Sequence, residues 1–500
     1  MPSALRPAAL RLTAAALALF AAAPAGAQTL LARFDTLVTR FELPNGMAFV
    51  VLPRRDAPVV SFFTYADVGS VDEPAGQSGV AHMFEHMAFK GTTSLGTTGL
   101  AAELAAMARE DDAYGRLRTA RLAGADSAAV APLRAAFETA RDSAAAFVDD
   151  AAFDRLLARN GADGVNAFTS ADQTGYFYSL PANKAELWFA TEADRFARPV
   201  LREFYQERDV VVEERRQRTD SSPTGRLYEE FLTTAFKAHP YGRPTIGYAS
   251  DLQSLTRAQA QAFFDAHYGV ANLTVAIVGD VEPAEMLRLA TAYFGPAAGG
   301  PTPERIPTVE PPQIGERRVT LLDRSQPYVF VGYHRPSGAH PDAPAFTVLA
   351  DILDAGRTSR FYRGLVETRR AVGTGVIAAF PGEKYPSLFT LFLVPAPGVD
   401  PDSVEADLTA LLERVAADGV TDDEIARART RARADLVAGL DSNSGLAQAL
   451  ATAEALRGDW RALFRDIDAL DRVTAADVQR VARDTFRPAN RTVATLRTGG

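Results

Sequence analysis

The chain has 500 residues, of which 47% are hydrophobic and 23% charged, with a formal net charge of -9 and no cysteine. Its length exceeds what one hydrophobic core usually supports, so at least two domains are expected. The acidic balance argues against a nucleic-acid partner, and the missing cysteine excludes a thiol nucleophile, a thiolate metal ligand and a cysteine-borne lipid anchor.

Residues 1–27 have the anatomy of a secretory signal peptide: Arg6 and Arg11, an apolar run from Leu12 to Ala23, and the small-residue site Ala25-Gly26-Ala27. Cleavage before Gln28 is predicted, leaving a more acidic mature chain. No later stretch approaches the length of a transmembrane helix, so the expected product is exported, periplasmic in a Gram-negative host or otherwise secreted. The mature chain opens with alternating strands such as Val59-Val60-Ser61-Phe62-Phe63-Thr64-Tyr65, which give way to amphipathic helices and predict an α+β fold.

His82-Met83-Phe84-Glu85-His86 follows. Residues three and four apart share a helical face, so two imidazoles can converge on one cation while the Glu85 carboxylate faces a water on it. Zinc lowers the pKa of such a water to about 7. With six histidines in 500 residues, chance expects far fewer than one such pattern, and HxxEH is the inverted zincin signature.

From about residue 100 to 150 the chain is rich in Ala, Leu, Arg, Glu and Asp. Leu104, Met107, Leu117, Leu122, Val130, Leu133, Phe137 and Phe147 recur at roughly helical intervals, and Gly124-Ala125-Asp126-Ser127 offers a turn and an N-cap. This predicts an antiparallel helical hairpin projecting from the domain, as a tolerated surface excursion or as a lid or partner-docking arm.

A zinc peptidase centre needs a third protein ligand, with the fourth position left to water. His239, His267, His334 and His340 lie in segments that read as loop or strand, and each reads as a surface or packing residue. Carboxylates are better candidates. Glu207 and Glu214, seven residues apart, share a helical face from which Glu213 points away. Spacing alone leaves a solvated salt-bridge residue as the commoner reading of any one of them.

The Gly and Pro cluster from Gly295 to Pro312 reads as a linker. It divides residues 28–295, a catalytic N-terminal domain, from residues 315–500, with 296–314 between them. Pro327-Tyr328-Val329-Phe330-Val331-Gly332-Tyr333 and a helix from Ala345 echo the first half as strand, loop and helix. At the position of the histidine-bearing helix the second copy reads Phe346-Thr347-Val348-Leu349-Ala350-Asp351-Ile352-Leu353, without histidine.

These motifs together resemble the pitrilysin/insulinase family of inverted zincins. His82-Met83-Phe84-Glu85-His86 with Met87-Ala88-Phe89-Lys90-Gly91-Thr92 is similar to its active-site helix, and Asn166-Ala167-Phe168-Thr169-Ser170 with Thr174-Gly175-Tyr176-Phe177 to its edge strand. Glu207-Arg208 through Glu214 is similar to its distal ligand helix, and the likeness continues through His239-Pro240-Tyr241-Gly242 and Ile277-Val278-Gly279-Asp280. The resemblance implies two homologous α/β-sandwich domains, the first catalytic, with the hairpin as an insertion in it. It implies one zinc ion held by His82, His86 and Glu214, Glu85 as general base, and Glu207 orienting a ligating imidazole.

The implied activity is a zinc-dependent endopeptidase acting on peptides or unfolded polypeptides. Asn166, Ala167, Phe168 and Thr169 would pair with the substrate main chain, although Asn166 could simply satisfy a turn. The spacing of 128 positions from His86 to Glu214 exceeds the family's usual one, which the hairpin explains. A second departure lies in Leu365-Val366-Glu367-Thr368-Arg369-Arg370-Ala371-Val372-Gly373-Thr374, where Val366 and Gly373 stand at the positions of a substrate-holding Arg and Tyr. It implies that a homologous subunit supplies that pair in a heterodimer, with a homodimer as the alternative. The competing functional reading is a non-catalytic scaffold or chaperone-like subunit.

Overall fold

The computed structural model describes residues 30–301 and 303–499; the expected leader, residues 1–27, lies outside them. Two sheets form the frame. The first contains β1 (Thr39–Glu42), β2 (Ala48–Pro53), β3 (Val59–Ala66), β4 (Asp163–Thr169), β5 (Thr174–Pro181) and β6 (Leu273–Gly279), in the order β1-β2-β6-β3-β5-β4. The second contains β7 (Arg317–Asp323), β8 (Tyr328–Arg335), β9 (Ala371–Phe380), β10 (Ser387–Pro395) and β11 (Arg491–Thr498), in the order β7-β11-β8-β10-β9.

Setting β1 aside, the two orders are the same. β2 runs parallel to β6 as β7 does to β11, and every other neighbouring pair is antiparallel. The duplication expected from the strand-loop-helix echo is therefore present in the topology. Central β6 reads Leu-Thr-Val-Ala-Ile-Val-Gly and is buried throughout, the continuous apolar pattern of a strand covered on both faces.

Eight of the helices are labelled in chain order: α1 (Val80–Met87), α2 (Leu100–Leu122), α3 (Ser127–Ala145), α4 (Phe204–Arg215), α5 (Pro223–Ala235), α6 (Ala343–Asp354), α7 (Asn443–Arg457) and α8 (Ala462–Leu470). α1 follows β3 as α6 follows β8. Between Tyr293 and Arg317 the described residues contain neither helix nor strand.

Packing crosses that segment in both directions. Leu446 and Leu450 of α7, Trp460, and Phe464 and Ile467 of α8 pack on Val50, Leu52, Phe63 and Val278 of the first sheet. In return Leu227, Phe231 and Leu232 of α5 pack on Leu388, Ala494 and Leu496 of the second. A Cβ on Gly332 would lie 2.5 Å from the Phe231 ring, so the missing side chain is what admits this helix. Each buried Leu or Phe contributes about 1.5–3 kcal/mol, so either half alone would expose apolar surface worth on the order of 10 kcal/mol.

α2 and α3 form the hairpin, and Asp126 caps α3 by accepting from the Ala129 N–H at 2.8 Å. It does not project. Tyr114, Leu117 and Phe137 are buried in the first domain's core beside Tyr205 of α4. The reason lies in charged residues that look solvent-facing in sequence. Glu103 forms an ion pair with Arg202, with both side chains 1% exposed or less. Glu110 and Asp111 pair with Arg257, and Tyr205 donates to Asp111 at 2.8 Å. No described helix is long and apolar enough to cross a membrane.

Candidate metal centre

α1 is anchored along one face, with Val80, Ala81, Met83, Phe84 and Met87 buried. The Phe84 ring lies 4.7 Å from Phe264 and 4.4 Å from Tyr268. Its N-terminus is held by buried Glu73, which accepts from the Gly79 N–H at 2.9 Å and the Ala81 N–H at 3.0 Å, satisfying donors a helix leaves free. Burial pushes the Glu73 carboxyl up to about 8. The opposite face presents His82, Glu85 and His86.

α4 runs beside α1 and supplies the carboxylates. His82 Nε2 and His86 Nε2 lie 3.7 and 3.5 Å from the same oxygen, Oε2 of Glu214. These separations are long for hydrogen bonds and close to the roughly 3.3 Å edge of a tetrahedron with bonds of about 2 Å. Donor atoms of His82, His86 and Glu214 all fall within 4.8 Å of one another, the one such cluster among the described residues. Two imidazoles and a carboxylate are a donor set that suits Zn2+ and leaves a position open, so these residues fit the ion.

The surrounding residues fix the ligands. Glu207 Oε2 lies 3.4 Å from His86 Nδ1, and its Oε1 lies 2.6 Å from Lys90 Nζ, which also donates to Glu203 at 3.0 Å. Arg218, in the π-helical turn Arg216–Asp220 that follows α4, contacts Glu214 Oε1 at 2.6 Å. Burial pulls His82 down to about 4. Burial also acts to lower His86, but Glu207 and Glu214 beside it prevail and push it up to about 9. The His86 contact, with His82 and Arg218 adding to it, holds Glu214 below the usual carboxylate range despite partial burial.

Glu85 accepts from the Thr169 hydroxyl at 2.6 Å, and burial raises its carboxyl above the ordinary value. Thr169 ends β4, the edge strand, and the other three candidate substrate residues lie on the same strand. Asn166, Ala167, Phe168 and Thr169 pair with Phe177, Tyr176, Gly175 and Thr174 of β5, and the outer edge of β4 has no neighbouring strand among the described residues. Asn166 Oδ1 accepts from the Ala167 N–H at 2.9 Å, a local contact made within a strand and not in a turn. A cavity of about 440 Å³ opens beside the centre, bounded by His82, Thr169, Arg218 and the first turn of α5.

The other histidines stay apart from this cluster. His239 packs among Phe236, Tyr241 and Tyr385, and His334 lies in β8. His267 ends a helix, Arg257–His267, instead of lying in a loop or strand; the capping box of Thr256 and Gln259 starts that helix. Sequence reasoning did not single out Lys90, Arg218, Glu73 or Arg202. Lys90 stood inside the quoted motif, and Arg218 lies one helical turn past Glu214, a spacing that could have flagged it.

Comparison with known proteins places the chain. Residues 49–120 and 143–248 match the insulinase (peptidase family M16) model, and residues 254–432 match that of the peptidase M16 inactive domain. The chain belongs to this family. The gap in the first match, residues 121–142, falls at the tip of the α2–α3 hairpin and in α3. The chain is similar to the zinc protease PqqE of Helicobacter pylori, 28% identical over 488 residues and 94% of each chain. An uncharacterized zinc protease of Mycobacterium tuberculosis is 27% identical over 89% of this chain and 90% of that protein.

Among solved structures, a protease from Helicobacter pylori superposes with a TM-score of 0.76 at 26% identity, over 92% of this chain and 99% of that one. The periplasmic protease PqqL from Escherichia coli shares the fold, with a TM-score of 0.67 at 17% identity. The match covers 93% of this chain and 48% of PqqL, so that protein is about twice as long.

Proposed function

We propose that the chain is a zinc-dependent endopeptidase that hydrolyses peptides or unfolded polypeptides. The observation carrying this reading is the juxtaposition of His82, His86 and Glu214 within 4.8 Å with Glu85, a carboxylate held by Thr169 at 2.6 Å. The family and the zinc proteases similar to the chain support it.

His82, His86 and Glu214 would hold the ion, which when bound supplies Lewis acidity and a water of lowered pKa. Glu85 takes the proton of the attacking water and later delivers it to the leaving amine. Its raised affinity for a proton, a consequence of burial, suits a group that must both accept and return one. The Thr169 hydroxyl fixes which carboxylate oxygen is free to do so. Glu207 holds the His86 ring through Nδ1, with Lys90 compensating its charge. The open edge of β4 pairs with an extended peptide through main-chain hydrogen bonds, favouring unfolded or short substrates of broad sequence.

The active unit in this reading contains a homologous subunit. Gly373 occupies edge strand β9 opposite Val394, and Val366 ends a π-helical turn, so neither position carries a substrate-holding side chain. The double length of PqqL relative to this chain supports a paired arrangement, heterodimeric in the first instance and homodimeric in the second. Export to the periplasm belongs to the same reading, supported by the leader-like residues 1–27 and by the periplasmic protease that shares the fold. Metal analysis of the purified chain, with cleavage of an unstructured quenched peptide library by native protein and by Glu85→Gln, tests the proposal. Stoichiometric zinc with cleavage by the native protein alone is expected.

A further inference from the structure

The cavity beside the metal centre has an unequal charge balance. Its charged walls are Arg218, Glu229 and the ligand His82. Glu229 is already matched, because Arg215 donates to both its oxygens at 2.8 and 3.2 Å. Arg218 contacts Glu214 through one guanidinium nitrogen at 2.6 Å, yet its side chain remains 73% exposed. A guanidinium has five N–H donors in a planar fork, so one contact leaves most of them free for another acceptor. Glu214 is also the carboxylate that a cation held with His82 and His86 would neutralise, which leaves the Arg218 charge without compensation.

The remaining lining is matched to an anion with an apolar stem. Thr224, Tyr228 and Thr245 contribute hydroxyls, and Pro244, Ile246 and Phe330 form an apolar wall. The volume of about 440 Å³ holds one or two amino-acid side chains. Thr169 at the rim belongs to the edge strand and donates to Glu85, so a peptide lying along β4 would pass the mouth of the cavity.

We infer that Arg218 is a specificity-determining residue that binds a carboxylate of the peptide substrate in this cavity. Acidic peptides, or peptides ending in a free carboxylate beside the scissile bond, are then the preferred class. The inference rests on the peptidase reading and deepens it. Because Arg218 also touches Glu214, its effect on peptide charge has to be separated from any effect on the metal.

Peptide binding to the full chain carrying Glu85→Gln makes that separation. Affinities would be measured by fluorescence anisotropy for one peptide series with Glu, Gln or Lys at a scanned position, each with a free or an amidated C-terminus, and zinc content would be recorded for every protein. At one position Glu is expected to bind about three- to five-fold tighter than Gln, the scale of an ion pair at an exposed guanidinium. A preference for the free over the amidated terminus instead would identify the chain end as the source of the carboxylate. Adding Arg218→Gln should remove the preference, and Arg218→Glu should turn it toward Lys. Affinity indifferent to peptide charge, a preference that survives Arg218→Gln, or no peptide binding at all would overturn the inference. Failure of the native chain to cleave both alone and with a homologous subunit would overturn the peptidase reading, whereas cleavage without charge preference would overturn only this one.

Discussion

The hydroxyl of Thr169 donates to Glu85 Oε2 at 2.6 Å, joining the end of the edge strand to the carboxylate between the two histidines. The strand end and the base are thus joined directly. A peptide that pairs with β4 is set in register with the residue that handles its protons. Thr169→Ala should lower kcat by about 10- to 100-fold, a part of the roughly 100- to 10,000-fold that general acid-base assistance supplies, with KM changed far less and zinc content preserved. Thr169→Ser should restore most of the loss. Steady-state kinetics with metal analysis checks this; an equal loss in the Ser variant would contradict it.

Glu207 bridges His86 Nδ1 and Lys90. Removing a partner that orients a ligating imidazole commonly costs about 10- to 100-fold in metal affinity. Glu207→Gln should show that loss in competition with a chelator. Glu213→Gln, on the neighbouring exposed side chain that pairs with Arg216, should leave affinity unchanged.

The hairpin should behave as part of the core. Arg202 donates to Glu103 and to the carbonyls of Lys90, Leu95 and Thr92, tying α2 to the loop that follows α1. Breaking so buried an ion pair by removing one partner costs about 3–5 kcal/mol. Glu103→Ala should therefore lower the denaturation midpoint sharply, whereas Glu138→Ala on the exposed face of α3 should have little effect. Equal midpoints would mean that the hairpin is a peripheral excursion after all.

Stability should depend on pH through Glu424. Its hydrogen bond to Arg360, opposed by burial and aided by the Thr421 cap, holds its carboxyl down to about 2. A depressed folded-state pKa stabilises above the unfolded value near 4.5, and that contribution disappears as pH falls toward 2. After solvent screening the contribution is about 1 kcal/mol. Glu424→Gln should melt lower than the native protein at pH 7, and the gap should close with acidification; a gap that persists to low pH would contradict the assignment.

What could be read in the sequence follows the range of the interactions. His82, Glu85 and His86 lie within one helical turn, and Glu207 and Glu214 within two, so their faces could be derived from helical periodicity. The partnership between α1 and α4 needed the fold, because Glu214 lies 128 positions beyond His86. The hairpin's helices were visible as a pattern of apolar residues, but its docking was not. Docking depends on Glu103, Glu110 and Asp111 finding Arg202 and Arg257, and buried charges paired across long separations look like solvated ones in sequence. The exchange of α5 against α7 and α8 was hidden for a similar reason: Phe231 and Trp460 mark themselves as apolar without indicating which sheet they cover.

The most direct measurement is zinc content together with peptide cleavage for the native chain from Gln28 onward and for Glu85→Gln, each alone and with a homologous subunit. The account predicts about one zinc per chain in both proteins and cleavage of an unstructured peptide by the native residue only. Zinc bound equally in both without cleavage by either, or equal cleavage by both, would contradict the role given to Glu85 and with it the peptidase mechanism.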